Sequence, residues 1–214
     1  MSPPGRPPSD VAFSDSVKAV QARLGSRKSY ARLETGDGWE TTISPDLAGF
    51  IGEQTSFFLA TASAAGQPYV QHRGGPRGFL RVLDDHTLAF ADFRGNRQYV
   101  TLGNLAENPK VCLFLIDYAH RQRVKVWGEA RVVEDDPALV TRLVVPGYEG
   151  RPERAIVVSV ATWDANCPQH IPVRFDAADV EAALAARDRR IAELEAELAR
   201  RPGPSEETRR RKAR

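Results

Sequence analysis

From Ser56 to Trp163 the chain is a succession of short apolar runs separated by turn residues, and this spacing limits the fold more than any other feature. "SFFLATAS" (56–63), "YVQHR" (69–73), "GFLRVL" (78–83), "TLAFADF" (87–93), "KVCLFLID" (110–117), "RVKVWGEARVVE" (123–134) and "RAIVVSVATW" (154–163) all read as strands. "AAGQP" (64–68) and "DDH" (84–86) read as turns. Only two short helices interrupt the series. One carries Tyr99, Leu102 and Leu105 and stops at Asn108-Pro109; the other runs from Asp136 to Val144 behind an Asp-Pro start. Roughly six or seven strands this close together predict a mainly β fold, a closed antiparallel barrel with flanking helices, over a parallel sheet.

The flanks differ from this centre. Residues 1–10 are Pro-rich and read as disordered. Phe13 to Arg32 holds a helical pattern with Val17, Val20 and Leu24 on one side, broken by "GDG" at 36–38. Ser44-Pro45 is a helix start, with Ser44 at the N-cap and Pro45 at the first helical position; that helix should end near Gly52-Glu53. Residues 176–200 are rich in Ala, Glu, Arg and Leu. Val180, Leu184, Ile191, Leu194 and Leu198 fall on a 4-3 spacing with Arg187 in the seam, which predicts an exposed amphipathic helix of coiled-coil type. Residues 201–214 read as a basic disordered tail ending "RRRKAR".

Charge narrows the function classes. The 214 residues carry 30 Lys and Arg against 28 Asp and Glu, so the molecule as a whole has no general attraction for nucleic acid or membrane. The start lacks the apolar core of a signal peptide and no run is long enough to span a bilayer, so a cytoplasmic protein is expected. Cys112 and Cys167 form no disulfide framework. Cys167 and His170 at a C-x-x-H spacing are too few to read as a metal site, and none is expected. There is no GxSxG, HExxH or P-loop signature.

Cationic and amide side chains at strand ends are the chemistry that stands out. Arg73 precedes Gly74-Gly75. "DFRGNRQYVTLGNL" (92–105) runs from a strand through Gly95 into a helix, which predicts Asn96, Arg97 and Gln98 at a helix N-terminus suited to an anion. Arg97 adds a planar donor that matches phosphate. Arg123 and Lys125 share one face of a strand whose other face is apolar.

The stretches "TASAAGQPYVQHRGGP", "LAFADFRGNRQYVTLGNLAENPKVCLFLIDY", "RQRVKVWGEARVVED" and "NCPQHIPVRF" together resemble the pyridoxamine 5′-phosphate oxidase-like, FMN-binding split-barrel family, and within it a bacterial branch with QHRGGP, GNRQY and CPQH motifs. The similarity runs from about Val11 to Phe175, a domain of residues 11–175. It implies a six-stranded antiparallel split barrel of Greek-key type and a homodimer with FMN at the subunit interface. It also implies that Gln71, His72 and Arg73 contact the cofactor, that Ala91 and Asp92 lie beside the flavin ring, and that Asn96, Arg97 and Gln98 meet the phosphate. Arg123 falls where the oxidases place a flavin-contacting Gln, and Lys125 shares its face. Gln169 and His170 are expected to reach the flavin from the C-terminal side.

The resemblance also has a limit. Pyridoxamine phosphate oxidases end in an Arg-x-His-Asp-Arg-like segment, where this chain has "CPQHIPVRF" and then the Ala/Glu-rich helix. An FMN-dependent oxidoreductase acting on a small molecule other than pyridoxamine 5′-phosphate is therefore expected, with His72 and His170 as candidate proton donors. A flavin carrier or sensor, a haem-binding or haem-degrading split barrel, F420 in place of FMN, and an interaction module built on the C-terminal helix are the alternatives.

Overall fold

The computed structural model describes residues 6–34, 38–166 and 168–200. Two compact units divide the chain at Ile171/Pro172. The first begins with a 3₁₀ turn at Pro8–Val11, then α1 (Asp15–Arg23), α2 (Arg27–Tyr30) and α3 (Pro45–Gly52). The turn corrects the expectation of disorder over 8–10: Ser9 is buried and Asp10 pairs with Lys18 at 2.6 Å. The helix foreseen over 13–32 is two short ones, because Gly25 takes a left-handed φ of 83° after Leu24. Val17, Val20 and Leu24 are exposed, and Gln21 is the residue that α1 buries. Gly36 and Asp37 of the "GDG" break lie outside the described residues, as do residues 1–5, Cys167 and the tail.

At α3 the sequence reading holds. Ser44 Oγ accepts from Leu47 N at 3.2 Å and Pro45 opens the helix. Leu47 and Ile51 then face the core.

Seven strands follow: β1 (Ser56–Ala62), β2 (Pro68–Gly74), β3 (Arg81–Asp84), β4 (Thr87–Phe93), β5 (Lys110–Asp117), β6 (Gln122–Val133) and β7 (Pro152–Asn166), with α4 (Val100–Glu107) and α5 (Pro137–Leu143) between them. They form one antiparallel sheet in the order β2-β1-β5-β6-β7-β4-β3. The split-barrel class stands, with two differences of detail. There are seven strands where the resemblance implied six, and the hydrogen-bonded ladder does not close: β2 and β3 remain its edges.

Alternation along the strands sorts the two faces. Phe57, Leu59, Leu113, Leu115, Val124 and Val126 are buried, with Phe90, Ile156 and Val158 from β4 and β7 in the same core. Arg123, Lys125 and Trp127 take the outward face of β6. At Gly128 the β6–β7 register shifts, and a Cβ there would lie 2.2 Å from the Ser159 carbonyl oxygen, so only glycine fits the bulge.

The segment before α3 is fastened to β6 and β7. Trp39 stacks on Trp127 at 4.7 Å between ring centroids, and Phe13 packs against Trp39. Thr162 Oγ1 donates to the Glu40 carbonyl and Trp163 Nε1 to the Thr42 carbonyl, each at 2.8 Å.

The second unit holds α6 (Ala177–Arg200), and none of its residues is buried. Among the described residues no helix is long and apolar enough to cross a membrane.

Candidate functional site

Where β2 and β4 approach without a shared ladder, side chains join them instead. Asp92 stands opposite Arg154 in the β4–β7 register, and its Oδ2 lies 3.5 Å from Arg154 Nη1. Its other oxygen, Oδ1, accepts from Arg73 Nη1 on β2. One buried carboxylate thus bridges two guanidinium groups on two strands. Arg154 is also paired with Glu134 at 3.0 Å and Glu153 at 3.3 Å, while Arg73 Nε is buried without a hydrogen-bond partner.

Around this bridge lies a cleft of ≈ 360 Å³. Its wall is β2, the end of β4, the loop 94–99 and the first turn of α4. Gln71, His72, Arg73, Ala91, Asp92, Asn96, Arg97 and Gln98 all line it, so eight of the residues singled out in sequence converge on one place. Alternation on β2 sends the more exposed His72 to the face opposite Gln71 and Arg73, where its ring packs edge-on against Phe58. Gln71 Oε1 accepts from Thr101 Oγ1 at 2.7 Å, which ties β2 to α4.

The loop departs from the sequence reading in one respect. Asn96, Arg97 and Gln98 precede the helix, which begins only at Val100. The unusual backbone belongs to Arg97 (φ 61°) and Tyr99 (φ 55°), whereas Gly95 is not among the glycines with positive φ. Left-handed backbone at non-glycine residues costs energy and is held by its surroundings. Here Arg97 Nε donates to Tyr99 Oη at 2.8 Å, and Gln98 N donates to Asn96 Oδ1 at 3.2 Å. The Arg97 and Arg154 guanidiniums lie 5.9 and 5.7 Å from the Tyr99 ring centre. The hydrogen bond to Tyr99 first, then the charges nearby, raises the pKa of Arg97 above the usual arginine value.

Electrostatically the cleft is positive. Arg73, Arg94, Arg97 and Arg154 face it against Asp92 and Glu153. Both carboxylates are engaged with Arg73 and Arg154, and no carboxylate of the described residues is paired with Arg94 or Arg97. The cleft therefore has two cations to offer an anion.

Four of the singled-out residues do not line the cleft. Arg123 and Lys125 lie on the outward face of β6, opposite Ile116 and Phe114 of β5. Gln169 and His170 sit in an exposed turn, His170 with a φ of 63°. Conversely, Arg154, Glu153 and Tyr148 line the cleft and were missed in sequence. Arg154 was visible only as the polar residue that opens an apolar strand.

Solved structures resemble this fold at low identity. HupZ of Group A Streptococcus is 19% identical over 62% of this chain and 99% of its own, with a TM-score of 0.49. An FMN-binding protein from Syntrophomonas wolfei is 13% identical over 71% of this chain and 97% of its own, with a TM-score of 0.46. HutZ, the heme storage protein of Vibrio cholerae, is 17% identical over 55% of this chain and 89% of its own, with a TM-score of 0.38. No curated protein matches the sequence. The family profile described as "Pyridoxamine 5′-phosphate oxidase" matches residues 43–167, more than half of the 214, and the chain belongs to that family.

Proposed function

We propose that the cleft binds FMN and that the protein is an FMN-dependent oxidoreductase acting on a small molecule. One observation carries this reading: Arg94 and Arg97 face the cleft with no carboxylate paired to them, which matches the charge of a phosphomonoester dianion. The donor set fits the rest of the cofactor too. Arg73 offers a buried Nε–H that lacks a partner, and Gln71 offers its amide nitrogen while its oxygen is held by Thr101.

Bound FMN would supply the electron-accepting chemistry of its ring. The chain's part is to bind and orient. Asp92 fixes Arg73 and Arg154 in place, Arg94 and Arg97 hold the phosphate, and Phe90 and Tyr99 give apolar wall. A cleft of ≈ 360 Å³ is at the small end of the roughly 300–1,000 Å³ of ligand pockets, which favours completion by a second subunit. In a homodimer, Arg123, Lys125, Gln169 and His170 would be brought to the partner's cleft. The stretch beyond residue 167 lacks the oxidases' C-terminal motif, so the substrate is expected to differ from pyridoxamine 5′-phosphate.

Mass spectrometry of the ligand released from purified protein tests the cofactor directly. FMN is expected; F420 or haem would replace it in this reading. Arg97→Ala should weaken FMN by roughly ten- to hundredfold and leave riboflavin little changed. An equal loss for both ligands would remove the phosphate from this loop.

A further inference from the structure

The helix α6 has an apolar stripe that nothing among the described residues of its own unit covers. Val180, Leu184, Ile191, Leu194 and Leu198 are all between 41% and 63% exposed. Their 4-3 spacing places Leu184, Ile191 and Leu198 at position a of a heptad, and Val180, Arg187 and Leu194 at position d. A stripe with this period matches another helix of the same period and fits a flat surface poorly.

The charges beside the stripe choose both partner and direction. Position g holds Ala183, Arg190 and Glu197, and position e holds Glu181, Asp188 and Glu195. Two copies side by side in parallel set Arg190 of each against Glu195 of the partner subunit. The same arrangement sets Arg187, the one polar residue in the seam, opposite Arg187 of the partner subunit, a like-charge contact offset by Asp188 of the partner subunit beside it. The Arg190–Glu195 and Arg187–Asp188 contacts each occur twice by symmetry. In the antiparallel register that matches Val180 to Leu198 and Leu184 to Leu194, the flanking positions meet their like: Arg190 on Arg190, Asp188 on Asp188, Glu181 on Glu195. Like charges in these places oppose pairing. In the single chain Arg190 donates to Glu193 at 2.9 Å on the exposed surface, a bond that costs little to exchange.

We propose that α6 pairs in parallel, in register, with α6 of a second copy of this chain. About three heptads are marginal as an isolated coiled coil, so the pairing draws on whatever else holds the two copies together. It does not depend on what the cleft binds.

Cysteine placement in the full-length protein tests the pairing. Leu184→Cys should oxidise to a disulfide-linked dimer, with peptide mapping giving a 184–184 link. Ala182→Cys, on the outer side of the same turn, should stay mostly unlinked. A mixture of Leu184→Cys and Leu194→Cys chains should give no 184–194 link. Absence of the 184–184 link, equal linking at 182 and 184, or a 184–194 link would each overturn the proposal. Arg190→Glu should reduce the 184–184 yield, and adding Glu195→Arg should restore it; a yield indifferent to both would remove the charge pairing from it.

Discussion

Two parts of the sheet hold their strands together in different ways. Between β6 and β7 an antiparallel ladder runs from Arg123 opposite Asn166 to Val133 opposite Ala155, interrupted only by the bulge at Gly128. Between β2 and β4 there is no ladder, and the link is the Arg73–Asp92–Arg154 bridge. Backbone pairing brings strands to about 4.8 Å and leaves no room between them. Side-chain bridging holds them farther apart and lines the gap with charge. The cleft lined by Gln71, Arg73 and Arg97 accordingly lies at the second kind of junction, and the first kind supplies the rigid frame.

The largest expected effect is in the ladder. Gly128→Val would drive a side chain into the Ser159 carbonyl, and a loss of about 3 kcal/mol or more is expected in urea unfolding. A loss below 1 kcal/mol would mean that the bulge yields easily. At the seam, Asp92→Ala leaves Arg73 and Arg154 facing each other without their shared carboxylate. Because the cleft admits water, a loss nearer to about 2 kcal/mol is expected than the 3–5 typical of fully buried pairs. Asp92→Ala with unchanged stability would show that the two strands need no such bridge.

Smaller effects sharpen the contrast. Thr101→Val removes the hydroxyl that holds Gln71, and should cost about 1 kcal/mol while loosening ligand binding at the cleft. The smallest effect appears only with pH, on the ladder side. Burial pushes the Cys112 thiol up to about 11, against the opposing pull of Lys125. Its folded pKa lies above the unfolded value near 9, so its share of stability is complete below pH 9 and fades as pH rises through 11. Cys112→Ala should flatten that part of the stability–pH curve; an unchanged slope would place its origin elsewhere.

Sequence made the frame legible because its signals are local. β5 was read to the residue, Ser44-Pro45 marked the start of α3, and the alternation of β6 matched its two faces. Seven of the eight cleft residues were also legible, because "YVQHR" and "DFRGNRQ" concentrate polar side chains where strands end, and the eighth, Ala91, came only through the family resemblance. Arg154 was not, since its importance lies in standing opposite Asp92, 62 residues away, and register across that distance leaves no mark in one sequence. The late start of α4 was missed for a related reason. Arg97 and Tyr99 are held left-handed by contacts with each other and with Arg154, while residue preference alone assigns that geometry to Gly95.

The fastening of the N-terminal segment has an optical consequence. The chain has three tryptophans, and all stand at that junction: Trp39 stacked on Trp127, and Trp163 tied to Thr42. None of them lines the cleft. Intrinsic fluorescence is therefore a gauge of whether the leading segment stays docked on β6 and β7. A melting curve recorded by tryptophan emission would register its detachment even if the barrel behind it were still intact, and a titration of the cleft would need an emitter of its own.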